Sequence, residues 1–189
     1  MKVISTALPD IRVYEPSRFG DGRGYFCEWY NSRTFAAAGL DRHFVQDNIS
    51  LSSMPGTIRG LHFQKPPHAQ GKLIGVLRGA ILDVVVDIRQ GSPSYGQHVA
   101  VEISAERGNQ LFVPEGFAHG LWTLEPDTMV SYKVTDFYDA ATDAGIAWND
   151  PDLAIAWPGE TPGQISVRDS RLPRLAELGE SPFTYDGGR

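Results

Sequence analysis

Short runs with strand periodicity, cut repeatedly by glycine and proline, dominate the chain from Ile11 to Tyr138. Two runs show the pattern most clearly. Along Ala80–Ile88, Leu82, Val84, Val86 and Ile88 fall on one face, with Ile81, Asp83, Val85 and Asp87 on the other. Along Thr128–Phe137, Val130, Tyr132 and Val134 share a face with Thr128 and Asp136. Many short alternating runs predict antiparallel sheets packed as a sandwich or barrel, with jelly rolls among the options. Further strands are expected over Ile11–Glu15, Tyr25–Tyr30, Phe44–Ser52, Thr57–Phe63, Lys72–Leu77, His98–Ile103 and Gln110–Val113. Phe19–Gly24 reads as a loop, and Ser32–Ala38 as a helix stopped by Gly39. The 189 residues suit one domain over 1–189, with a core at about 3–150. Pro151, Pro158, Pro162 and Pro173 mark 151–189 as a wrap around that core, with a short helix near Leu172–Leu178.

Charge removes several partner classes. With 17 basic and 23 acidic side chains the formal net charge is −6, which argues against nucleic-acid and anionic-membrane binding. A local cationic pocket for one phosphorylated small molecule remains compatible with that total. A single cysteine, Cys27, leaves no intramolecular disulfide and suits a reducing cytoplasm. The first residues carry no secretory pattern, and no window approaches the ~18 apolar residues of a membrane span. A cytoplasmic protein is the expectation.

The five histidines focus the chemistry. His62 ends Gly56-Thr-Ile-Arg-Gly-Leu-His62, and His119 ends Gly108-Asn-Gln-Leu-Phe-Val-Pro114-Glu-Gly116-Phe-Ala-His119. Both resemble the two motifs of the cupins, and the second fits well. The first lacks the His-x-His pair and following glutamate of metal-binding members, because Gln64 stands where the second histidine would be. A transition-metal site wants three or more strong ligands, which His62, His68 and His119 could supply only together. Read alone, His68 suits an exposed turn, and His43 and His98 suit the surface.

Without a metal, a histidine in a barrel mouth is suited to proton transfer near neutral pH. Such a site needs a carboxylate to orient the ring, a cation for an oxyanion, a second proton-transfer group and basic anchors. Asp169, Lys72, Tyr132, and Arg23 with Arg59 are available for these tasks, though read alone each better suits an ordinary surface, turn or core-edge position. One local difficulty stands out. Arg59 and His62 are three apart, so a regular strand would point them to opposite sides unless a bulge intervenes at Gly60.

Longer segments narrow the choice. Phe19-Gly-Asp-Gly-Arg23-Gly-Tyr-Phe26-Cys-Glu28, Val45-Gln46-Asp47-Asn48-Ile-Ser50, Ile58-Arg59-Gly60-Leu61-His62-Phe-Gln64 and Gly71-Lys72-Leu73 resemble the dTDP-4-dehydrorhamnose 3,5-epimerase family. So do Asp83-Val-Val-Val-Asp87-Ile-Arg89, Ser92-Pro93, Val113-Pro114-Glu-Gly116-Phe117-Ala118-His119-Gly120, Tyr132-Lys133, Gly145-Ile-Ala-Trp148-Asn149-Asp150-Pro151 and Ser166-Val-Arg168-Asp169. These matches run in order over about residues 3–175.

The resemblance implies an all-β, cupin-like double-stranded β-helix (a jelly roll) with a few short peripheral helices. It implies a homodimeric isomerase of dTDP-sugars that uses neither metal nor cofactor. His62 would be the base, Asp169 its orienting partner, Tyr132 the acid on the other face of the sugar, and Lys72 the enolate stabiliser helped by Arg59. Gln46, Asp47, Asn48, His119, Asp143 and Arg168 would contact substrate, and Tyr138 would stack on thymine. Arg23 and Glu28 would contact the nucleotide in the neighbouring subunit's site. The implied reaction inverts C3 and C5 of dTDP-4-keto-6-deoxy-D-glucose to give dTDP-4-keto-L-rhamnose. A C4 ketone acidifies both neighbouring carbons, so one base and one cation could serve both. Asp143 and Arg168 depart from the family's usual glutamate and common lysine, which makes their contacts the least secure. Asp83 is a candidate partner for His119. Three rivals stay open: a mono-epimerase acting at C3 or C5 only, a metal-dependent cupin oxygenase or isomerase, and a non-catalytic sugar-nucleotide binder.

Overall fold

The computed structural model describes residues 1–187. In chain order, strands β1 (Lys2–Ser5), β2 (Arg12–Glu15), β3 (Arg18–Asp21) and β4 (Gly24–Cys27) precede helix α1 (Ser32–Ala37). Then follow β5 (Gln46–Ser52), β6 (Ile58–Gln64), β7 (Lys72–Arg78), β8 (Ala80–Asp87) and β9 (His98–Ser104). The last are β10 (Gln110–Val113), β11 (Phe117–Thr123), β12 (Thr128–Val134) and β13 (Asp143–Gly145). One antiparallel sheet has the order β1-β2-β10-β7-β12-β5, and a second has β13-β6-β11-β8-β9. This is the cupin-like jelly roll that the alternation and resemblance led us to expect.

Three apolar layers explain the sequence patterning. Between the sheets, Ile74, Val76, Leu111, Val113 and Val130 of the first face Ile81, Val85, Val99, Ile103, Phe117 and Leu121 of the second. On the outer side of the second sheet, Leu61, Phe63, Val84, Val86 and Ile88 are covered by Ile146, which follows β13, and by Leu153, Leu175 and Phe183 of the C-terminal wrap. Strand β8 is thus enclosed on both faces, so apolar residues occupy both parities of its alternation. On the outer side of the first sheet, Phe35 of α1 packs with Tyr14, Leu73 and Phe112. Asn31 caps α1 by accepting from the Arg33 and Thr34 N–H groups, and Gly39 (φ +87°) turns the chain away.

Five expectations need correction. Phe19–Gly24 is not a loop, because β3 and β4 form a hairpin that turns at Gly22–Arg23. The strand expected over Tyr25–Tyr30 ends at Cys27, and that expected to Phe137 ends at Val134. The C-terminal helix is instead two 3-10 turns, Asp169–Arg171 and Leu175–Glu177, interrupted near Pro173. Strand β11 is central to the second sheet yet was absent from the expected strands. Buried on both faces, Phe-Ala-His-Gly-Leu-Trp-Thr carries no alternation to read.

Candidate active site

The local feature that builds the site is a bulge in β6. His62 pairs with His119 and Arg59 with Leu121, so Gly60 and Leu61 together oppose the single residue Gly120. The extra residue changes parity: Leu61 enters the outer apolar layer while Arg59 and His62 both line the cavity between the sheets. Gly60 is required there. Its φ is +118°, and a Cβ would lie 2.6 Å from the Gly120 Cα and 2.7 Å from the His119 carbonyl oxygen.

The bulge also anchors the carboxylate. Asp169 Oδ2 accepts from the Gly60 N–H at 3.2 Å, while Oδ1 lies 2.8 Å from His62 Nε2. The Asp169 N–H donates to Ser166 Oγ at 3.0 Å. Burial opposes the charge of this carboxylate, but the bonds from His62, Gly60 and Ser166 hold its pKa below the usual value. Nothing in the sequence around Ser166 marks it as a partner of this carboxylate. Its part became visible only when the wrap folded back onto β6.

Two connected lobes share His62, Lys72, Tyr132 and Arg168 at their junction. The larger, about 630 Å³, is lined also by Arg59, His119, Leu121, Val130, Gln164 and Asp169. The smaller, about 360 Å³, adds Gln46, Asn48, Gln64, Gln70, Tyr138 and Asp143. Lys72 on β7 and Tyr132 on β12 rise from the first sheet, whereas His62 and His119 come from the second. The imidazoles therefore face the ammonium and phenol across the cavity.

Burial sets the electrostatics of that opposing wall. Desolvation lowers the Lys72 pKa to about 8, with Asp143 and Asp83 working to raise it and Arg168 to lower it further. Tyr132 is pushed up by burial, against the pull of Arg59, so its phenol keeps its proton at neutral pH. Arg59 is held by its donations to Ser52 Oγ and the Leu51 carbonyl, at 3.2 and 3.0 Å. Arg168 and Asp143 form a 2.8 Å ion pair, and the exposed Tyr138 hydroxyl donates to the other Asp143 oxygen at 3.1 Å.

Some candidate residues lie elsewhere. Asp47 follows the alternation of β5 to the face opposite Gln46 and Asn48, where Lys133 pairs with it at 2.8 Å. Its side chain is not brought to the cavity. Arg23 sits at the exposed hairpin turn beside Asp21, and Glu28 accepts from Asn31 and Thr34. Neither lines either lobe of its own chain.

His68 is turned toward Asp136 at 3.2 Å and lines neither lobe, so it does not join His62 and His119. Among the described residues no three His, Cys, Asp or Glu side chains are grouped as metal ligands. Gln64 has a different use. It donates to the Phe137 and His68 carbonyls and accepts from the Asp139 N–H, which fastens the loop that presents Tyr138. No helix among the described residues is long and apolar enough to cross a membrane.

Residues 5–177 match the family described as dTDP-4-dehydrorhamnose 3,5-epimerase. The dTDP-4-dehydrorhamnose 3,5-epimerase of Sinorhizobium fredii is 50% identical, with 96% of this chain and 92% of the relative covered. The crystal structure of dTDP-4-dehydrorhamnose 3,5-epimerase from Bacillus anthracis, with TDP and PPi bound, is 51% identical with a TM-score of 0.89. It covers 92% of this chain and 98% of its own. The Legionella pneumophila dTDP-6-deoxy-D-glucose-3,5-epimerase, in complex with dTDP-4-keto-L-rhamnose, reaches a TM-score of 0.92 at 39% identity over 99% of both chains.

Proposed function

This chain belongs to the dTDP-4-dehydrorhamnose 3,5-epimerase family, and from that premise we propose that it inverts both C3 and C5 of dTDP-4-keto-6-deoxy-D-glucose, yielding dTDP-4-keto-L-rhamnose. That it is an epimerase, an enzyme of the isomerase class, follows from the family itself. The observation that supports the finer assignment is the opposition of His62 to Tyr132 across one cavity, with Lys72 beside Tyr132's strand on the same wall, at the junction of the lobes.

In this reading His62, oriented by Asp169, takes the proton from the carbon next to the ketone. The electron pair moves onto the C4 oxygen, where the Lys72 ammonium stabilises the enolate. Tyr132 gives a proton to the other face of the same carbon, which inverts it. Since C3 and C5 flank one carbonyl, a shift of the ring exposes the second carbon to the same groups. Gln46, Asn48, Arg59, His119, Asp143 and Arg168 line the walls that would receive the sugar and its diphosphate. The Tyr138 ring, exposed at the edge of the smaller lobe, is offered to thymine.

Arg23 and Glu28 fit the same scheme if a second copy supplies them. Phe19, Tyr25 and Phe26 on the hairpin are 65%, 59% and 69% exposed, the kind of apolar surface that a homodimer covers. Sedimentation should then give a dimer that Phe26→Asp disrupts.

The test of the reaction is incubation with dTDP-4-keto-6-deoxy-D-glucose in D₂O, followed by NMR and mass spectrometry. Deuterium at C3 and C5 with inversion at both is the expected result. Label and inversion at one carbon would make the protein a mono-epimerase, and no label would sink the catalytic assignment.

A further inference from the structure

The stretch 136–139, which follows β12 and carries the Tyr138 ring, gains little from burial, since Phe137 and Tyr138 are 62% and 60% exposed. Among the described residues, no backbone–backbone hydrogen bond is formed by Asp136, Phe137 or Tyr138. Side-chain amides take that place. Gln70 donates to the Asp136 carbonyl at 2.7 Å. Gln64 donates to the Phe137 carbonyl at 2.9 Å and accepts from the Asp139 N–H at 3.1 Å. Gln46 accepts from the Tyr138 N–H at 3.3 Å and donates to Asn48 Oδ1 at 2.8 Å. Glutamines from the start of β5, the end of β6 and the segment before β7 thus converge on one short length of exposed chain.

Residue type matters at Gln64, which is 4% exposed. Its amide donates twice, to the Phe137 and His68 carbonyls, and accepts once, from Asp139. A carboxylate has no N–H to offer, and an imidazole cannot be a double donor and an acceptor together. That is a physical reason for glutamine at the position where metal-binding cupins carry their second histidine. Removing the amide would strip two carbonyls and one N–H of their partner at once.

We propose that Gln64 and Gln70, together with Gln46, are positioning residues that hold the Tyr138 ring in place before the nucleotide arrives. This rests on the reading of Tyr138 as the platform for thymine given above. A platform that is correctly placed only part of the time binds more weakly in proportion to that fraction. Gln64 therefore acts on affinity through Tyr138, and its loss cannot cost more than loss of the ring itself. Gln46 has a second role above, at the sugar, so the test is built on the other two. Both of these also line the smaller lobe, and a direct contact with the nucleotide is the rival explanation.

A double-mutant cycle on the whole chain separates the two, with dTDP alone as the probe and calorimetry as the measurement. Tyr138→Ala should weaken dTDP binding by about tenfold or more, the scale of one lost stacking partner. Gln64→Met should weaken it by about three- to tenfold, without exceeding Tyr138→Ala. Introduced into Tyr138→Ala, the same change should alter affinity by less than about twofold, because no ring is left to position. With substrate, KM should rise more than kcat falls in Gln64→Met. Equal losses in the two backgrounds would overturn the proposal, since they mark a direct contact or a general loosening of the fold. Unweakened binding in Gln64→Met would overturn it as well. Should that variant fail to fold, Gln70→Met, which removes only the bond to Asp136, carries the same cycle with an expected loss of about threefold. Binding of dTDP that is indifferent to Tyr138→Ala would refute the platform and this role of the glutamines together. A cycle of the expected shape in a protein that inverts no carbon would refute the epimerase assignment and leave the positioning role standing.

Discussion

His62 Nε2 and Asp169 Oδ1 lie 2.8 Å apart although 107 residues separate them in the chain. One member sits on a central strand and the other on a 3-10 turn of the C-terminal wrap, so the pair exists only when the wrap is closed over β6. The wrap thus supplies the carboxylate that meets this imidazole as well as covering an apolar face.

Replacing Asp169 by asparagine should separate these two roles. The side chain keeps its shape but loses the charge that its partners favour, so the melting temperature should fall modestly while the fold survives. The imidazole loses its charged partner and can be held in the wrong tautomer. Comparable losses in hydrolase triads cost up to ~10⁴ in kcat, and a fall of about 10²–10⁴ is expected here. Turnover within tenfold of wild type would show that His62 needs no orienting carboxylate.

Tyr132→Phe should leave the base intact and remove the acid. His62 could then exchange a substrate proton with solvent and return it to the same face. Deuterium should enter the substrate in D₂O with little inversion, a result read by comparing label content with product by NMR. Loss of exchange and inversion together would place Tyr132 elsewhere in the mechanism.

Lys72 sets function against stability. Its folded pKa of about 8 lies below the ordinary lysine value of 10.5, so the folded state disfavours its charge. The cost is present in full below pH 8 and fades as the pH rises toward 10.5. At 1.36 kcal/mol per pH unit, Lys72→Met should stabilise the fold at pH 7 by up to about 3 kcal/mol. Urea unfolding would measure the gain, and turnover should fall by ~10² or more. An unaltered midpoint of unfolding would mean that the ammonium bears no folding cost.

The same value gives the sign of the pH dependence. If the charged ammonium is required, kcat should decline as the pH climbs through about 8. The Tyr132 phenol, pushed upward, stays protonated across that range and should not produce the limb. A flat profile from pH 7 to 9.5 would exclude Lys72 as the titrating group.

Gly60→Ala tests the bulge. The added Cβ would sit 2.6 Å from the backbone of β11 in a conformation that suits glycine alone. Strain of this kind costs about 1–3 kcal/mol, which denaturant unfolding would register. Activity should drop further than stability, because Arg59 and His62 lose their common side. A variant as stable and active as the parent would show that β6 tolerates a regular register.

The sequence by itself determined the class of fold and named most of the polar side chains that meet in the cavity. Alternation along β8 and β12 marks sheets because side-chain parity is a local property, readable wherever one face differs from the other. The long ordered segments around His62, Lys72, Tyr132 and Asp169 marked the chemical groups, and three-residue spacing even exposed the need for a bulge at Gly60. Tertiary structure decided the rest. Strand β11 was silent because burial on both faces erases the contrast on which parity depends. Asp47 looked like its neighbours in one motif, yet pleating turned its side chain to the far face and into an ion pair with Lys133. The 2.8 Å contact of Asp83 with His119 joins β8 to β11, strands that meet only in the folded sheet, so no residue beside either one in the chain reports it.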